Sequence, residues 1–147
     1  MNRTRALRLV IAAVLCLGVA GTAIAATAPY KSGAYKGKTG QVNPTTGKKF
    51  QLKFTIAKGT ISGVDTKTRD KCPDGSFLRV HQNAFKSAKL DSKGRFTLRA
   101  GTTSQPAVMK GKVTGSKASG TITDRTNDPE GSGPCKASTT WTAARVK

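Results

Sequence analysis

Lys48-Lys49-Phe50-Gln51-Leu52-Lys53-Phe54-Thr55-Ile56-Ala57 alternates without a break. Phe50, Leu52, Phe54 and Ile56 fall on one face of an extended chain, and Lys49, Gln51, Lys53 and Thr55 on the other. The period is two and the inward residues are large, aromatic or β-branched, so the stretch reads as a half-buried strand and not as a helix. Lys58-Gly59 then turns the chain into Thr60-Ile61-Ser62-Gly63-Val64. Ile61 and Val64 are three apart, and burying both requires a bulge or turn at Ser62-Gly63.

The same pattern extends in both directions. Upstream, Gly33 to Thr39 puts Tyr35 opposite Lys36 and Lys38, and Asn43-Pro44-Thr45-Thr46-Gly47 is a turn. Downstream, polar alternation from Thr66 to Lys71 runs into the turn Cys72-Pro73-Asp74-Gly75. The section from Phe77 to His81 is ambiguous, and Asn83 to Leu90 permits one helical turn that is too short to stand without packing. Asp91-Ser92-Lys93-Gly94 is a hairpin turn leading into Arg95 to Ala100, with Phe96 and Leu98 inward. Met109, Gly111 and Val113 face Ala118, Gly120 and Ile122 across a Gly115-Ser116 turn. Asp124 to Pro134 reads as a loop, and Thr139 to Val146, carrying Trp141 and Ala143, as the last strand. Short alternating strands joined by glycine turns predict an all-β fold: a single antiparallel sheet domain of about eight strands, as a small sandwich or a meander barrel.

The N-terminus has a different character. Arg3, Arg5 and Arg8 precede an apolar run from Leu9 to about Ala20 and the small residues Ala23-Ile24-Ala25, the order of a secretory signal peptide cleaved after Ala25. Residues 1–25 are therefore expected to be removed, with 26–32 a flexible tail, 33–147 the folded domain, and no transmembrane anchor after cleavage. Losing Cys16 with the leader leaves Cys72 and Cys135, both beside turn residues, and in an oxidising compartment such a pair is expected to form a disulfide. Closing a loop of about 64 residues stabilises by roughly 4 kcal/mol in the chain-entropy picture.

Lys and Arg number 26 against 7 Asp and Glu, a net charge of +19 that falls to about +16 without the leader's three arginines. An excess of this size draws a protein toward polyanions without choosing among them.

The opening Gly33 to Thr39, the strand-turn pattern from Phe50 to Gly63, Cys72-Pro73-Asp74-Gly75, Gly120-Thr121, and Cys135 with Trp141-Thr142-Ala143 together span most of the mature chain. In these features the chain resembles a group of small secreted β-domains found in actinobacteria and some other bacteria, with no assigned activity. The resemblance implies a signal peptide, an all-β domain and the bridge, and no reaction, ligand or cofactor.

Catalytic motifs are scarce. His81 is the one histidine, no Gly-x-Ser-x-Gly nucleophile elbow occurs, and neither a Walker A loop nor a dinucleotide fingerprint is present. Paired carboxylates for glycoside hydrolysis could come only from seven acids, of which Asp70, Asp74, Asp91 and Asp128 read as turn residues and Glu130 as a loop residue, and turn chemistry explains these better. With two cysteines committed to a disulfide, no metal site and no cofactor are expected. What remains is the outer face. Lys36, Lys38, Lys49, Lys53, Arg95, Arg99, Lys110 and Lys112 all lie opposite apolar residues, and if neighbouring strands align them they form a surface for an anionic cell-envelope polymer or an extracellular polyanion. Nucleic acid is disfavoured because Phe50, Phe54, Phe96 and Trp141 read as core and so give no stacking platform. The expected role is a secreted, non-catalytic binding domain. The alternative is an interaction or inhibitor scaffold that presents the Asp124 to Pro134 loop to a protein partner of unknown kind.

Overall fold

The computed structural model describes residues 28–131 and 133–147. The expected leader lies outside them. Among the described residues nine strands form one antiparallel sheet: β1 (Gly33–Val42), β2 (Lys49–Ala57), β3 (Thr60–Lys71), β4 (Phe77–Gln82), β5 (Ala88–Lys89), β6 (Arg95–Gly101), β7 (Pro106–Thr114), β8 (Lys117–Asn127) and β9 (Pro134–Arg145). The pairing order is β4-β3-β2-β1-β9-β8-β7-β6, so the first strand lies against the last. The short β5 spans the remaining gap. It pairs with the start of β3 through Thr60↔Lys89 and Ile61↔Ala88. Its flanks reach β6, where Lys86 N donates to Arg99 O (3.1 Å) and Asp91 N to Arg95 O (2.9 Å). The sheet thereby closes into a small barrel, and of the two expected architectures the meander barrel is the one adopted.

The decisive stretch behaves as its alternation requires. Along β2 exposed and buried residues alternate strictly, and Leu52, Phe54 and Ile56 are fully buried. The bulge lies where the spacing demanded it. Register between β2 and β3 slips between Lys53 and Thr55, Gly63 takes a positive φ of 62°, and both Ile61 and Val64 are buried. The barrel is filled by side chains: Tyr35 stacks on Phe54 at 5.0 Å, Phe54 meets Trp141 edge-on at 5.9 Å, and Phe96 lies 6.0 Å from Trp141. Room for the indole depends on a missing side chain, since a Cβ at Gly111 would overlap the Trp141 ring.

The bulge divides β3 between two partners. Its first residues pair with β5, while Thr66 to Lys71 pair with β4. Lys71 then meets Lys136 of β9. Beside that pair Cys72 and Cys135 are bonded, 63 residues apart in sequence, and tie the end of β3 to the start of β9. Gln41 secures the same end: its side-chain amide donates to Arg69 O (2.7 Å) and accepts from Arg69 N (2.9 Å), standing in for a strand partner.

The helical turn that Asn83 to Leu90 could permit but not hold does not form; Phe85 packs into the core and Ala88–Lys89 complete the sheet. Three expectations need correction. Asp70 is not a turn residue; it is buried within β3. Asp124 is not in a loop either, since the β8–β9 ladder runs unbroken from Lys117↔Ala144 to Asn127↔Pro134 and cross-strand pairing overrides the turn-like composition. Consequently β9 begins at Pro134, and the loop offered as a partner-binding element shortens to 128–133. Within the expected tail, Lys31 N donates to Gly115 O (2.9 Å), Gly115 N donates to Pro29 O (2.7 Å), and Tyr30 packs on the core, so residues 29–31 are docked.

Two consequences are measurable by urea unfolding. Replacing Cys72 and Cys135 together with serine should remove about 4 kcal/mol of stability. Gly111→Ala should cost about 1–3 kcal/mol through overpacking against Trp141. An unchanged midpoint in either variant would contradict this packing.

Candidate functional site

Because the sheet closes, its outward residues diverge around a wall and do not share a plane. The eight basic residues singled out from sequence fall into separate places. Lys36 and Lys38 on β1, with Lys112 on β7, border a trough of ≈ 560 Å³ that crosses β1, β9, β8 and β7. Lys117 of β8 completes the border. Its floor carries the short outward side chains of Ser119, Thr142 and Ala144, which leave a depression between the lysine stems, over the inward-alternating Gly37, Ala118 and Ala143. No acidic residue lines it, and none of the four lysines enters an ion pair among the described residues.

Lys49 and Lys53 belong to a second cleft of ≈ 470 Å³ on β2, β3 and β4, with Lys48, Lys67, Asp65 and His81. Here the charge is partly compensated. Asp65 accepts from Lys53 Nζ (3.2 Å) and contacts His81 Nε2 (2.7 Å), and the His81 contact first, then Lys53, hold its carboxyl below the usual range. An Asp–His pair is half of an acid–base apparatus. The threonine behind it, Thr66, donates its hydroxyl to Gln51 O (2.8 Å) and is buried. Arg95 and Lys110 flank a third depression with Lys89 and Asp91. Arg95 is bound to Asp91 (2.8 Å), whose carboxyl is lowered chiefly by the Arg95 backbone N–H and then by its side chain. Arg99 is exposed on β6 and lines none of the three.

Lys117 was absent from the residues singled out from sequence, although its outward alternation with Ser119 and Thr121 marks it in the same way as Lys110 and Lys112. A second omission has no sequence signal. Asp70 and Asp124 meet near the disulfide end of the barrel, both buried. Asp124 Oδ2 accepts from Thr68 Oγ1 (3.2 Å) and from Gln82 Nε2, and its Oδ1 accepts from Arg125 N (2.9 Å). Burial first, and the Asp124 charge second, push Asp70 up to about 6. The ends of β3 and β8 both pair with β9 around Lys136, which brings these acids together, and no local pattern reports it.

Comparison with models of known families, with curated proteins and with solved structures returns no match. Among the described residues no helix is long and apolar enough to cross a membrane. Cys72, Cys135 and Asp128 lie close enough to suggest a metal cluster, but both sulfurs are spent in the disulfide and have no thiolate to give.

The raised Asp70 makes stability depend on pH in a stated direction. Below about pH 4 the carboxyl is protonated in both states; between about 4 and 6 the unfolded chain releases its proton while the folded protein keeps it. Stability from this group is thus full at acid pH and lost as pH rises through 6, by on the order of 3 kcal/mol. In chelator-treated buffer, Asp70→Asn should flatten that loss and gain stability relative to the parent at pH 8, read from urea midpoints at pH 4, 6 and 8. A parent and variant that stay parallel across the range would refute the pairing.

Proposed function

We propose that the protein is a secreted, non-catalytic β-barrel that binds an anionic cell-envelope or extracellular polymer along the trough bounded by Lys36, Lys38, Lys112 and Lys117. The observation that carries this reading is the contrast among the basic surfaces. In the other two depressions Lys53 is paired with Asp65 and Arg95 with Asp91, whereas no acid lines the trough.

The geometry suits a chain more than a small molecule. Lys38 and Lys112 share one row across Thr142 and Ser119, three strand intervals or roughly 14 Å apart, and Lys36 and Lys38 repeat at roughly 7 Å along one rail. A polymer carrying phosphate, sulfate or carboxylate groups can lie between the rails and release counterions from both. The floor has no aromatic side chain, so bases would find nothing to stack on, which favours a sugar or polyol-phosphate polymer over nucleic acid. The disulfide is consistent with an oxidising location, in line with export.

Retention of the oxidised protein on immobilised polyanion should fall steeply as sodium chloride rises. Charge reversal at Lys36, Lys38, Lys112 and Lys117 should weaken binding by roughly tenfold or more and reduce the salt slope, while reversal at Lys48, Lys49 and Lys67 should do much less. Equal losses from both variants would reduce the trough to one part of a diffuse positive field.

A further inference from the structure

Two carboxylates are buried at the disulfide end of the barrel in a chain rich in lysine and arginine, and the described residues bring no base to either. Asp124 is at least hydrogen-bonded, through Thr68, Gln82 and the Arg125 amide. Asp70 is not. It is fully buried, and although Thr68, Thr126 and Asp124 lie close to its carboxyl, neither oxygen receives a well-formed hydrogen bond from them. A buried carboxylate with two unmet oxygens facing a second carboxylate is an expensive arrangement unless something positive joins it.

We propose that Asp70 and Asp124, with the side-chain oxygens of Thr68, Thr126 and Gln82, form an internal binding site for one hard divalent cation of the calcium class. The donor set is all oxygen, without nitrogen or thiolate, which selects calcium or magnesium over zinc and copper. Two carboxylates match a double positive charge. Gln82 now directs its amide nitrogen at Asp124 and at Thr68 Oγ1 (3.5 Å). Turning the amide over presents its oxygen at that point and exchanges a donor for a ligand. An irregular set of five side chains drawn from β3, β4 and β8 suits calcium's flexible coordination better than magnesium's strict octahedron. The ion would join three strands where the barrel is otherwise held by the disulfide and Lys71↔Lys136. This site departs from the sequence-based expectation of no metal, and it is independent of the lysine trough.

The test is calcium titration of the oxidised, chelator-stripped protein at pH 7.5, followed by calorimetry and by thermal unfolding. One ion per chain is expected, with Kd on the order of 0.1 to 1 mM as in extracellular modules and a Tm that rises with calcium. Asp70→Asn and, separately, Asp124→Asn should each weaken binding at least tenfold and remove the rise in Tm. Asp65→Asn, which alters an exposed acid, should leave both intact. A Tm indifferent to millimolar calcium would overturn the site. So would a calcium response that survives Asp70→Asn, or one that only Asp65→Asn abolishes.

Discussion

The pairing of the first strand with the last is the constraint on which the rest of the structure depends. Five registered pairs, from Tyr35↔Arg145 to Thr39↔Trp141, join β1 to β9 and turn a meander into a closed wall. The approach is close because Gly37 has no side chain, and a Cβ there would collide with the backbone of Thr142 and Ala143. Closure removes two exposed sheet edges and sets Trp141 against Phe54 and Phe96 at the centre. Without this ladder the same strands would form an open sheet with one apolar face in water.

A small barrel filled with aromatic and aliphatic side chains has no interior for an organic ligand, so a polymer could be met only on the outer wall. On the outer wall, register places Lys36 directly opposite Lys53 and Arg95 opposite Lys112. Like charges so placed oppose folding. In each pair one member is relieved by an acid, Lys53 by Asp65 and Arg95 by Asp91. The other members, Lys36 and Lys112, both border the trough, where an anionic ligand would relieve them in the same manner. The barrel end is different in kind: there the charges are negative, buried and enclosed by β3, β4 and β8, and the demand is for a cation or a proton.

Much of the fold was legible because burial in a half-wet sheet writes itself as period two. Phe50 to Ile56, Phe96 with Leu98, and Met109 with Val113 all point inward as their alternation requires, and the Ser62-Gly63 irregularity was readable from the spacing of Ile61 and Val64. Closure was not legible, since no local signal states which strands become neighbours. For the same reason one flat basic face was a reasonable expectation and a closed wall divided it. Asp70 and Asp124 were hidden more deeply. Asp70 lies three residues before Pro73 and Asp124 opens a run that reaches Asn127 and Pro129, so both look like turn residues, and only the long ladders of β3 and β8 keep them inside the sheet.

The central claim is that polyanion recognition is confined to the β1, β9, β8 and β7 side of the barrel. It is tested most directly by following backbone amide resonances of isotope-labelled protein during titration with a short sulfated or phosphorylated oligomer at moderate salt. Shifts should concentrate at Lys36 to Lys38, Lys112 to Ser119 and Thr142 to Ala144, with little change at Lys48, Lys67 or Arg99. Shifts spread evenly over every lysine and arginine on the wall would contradict it.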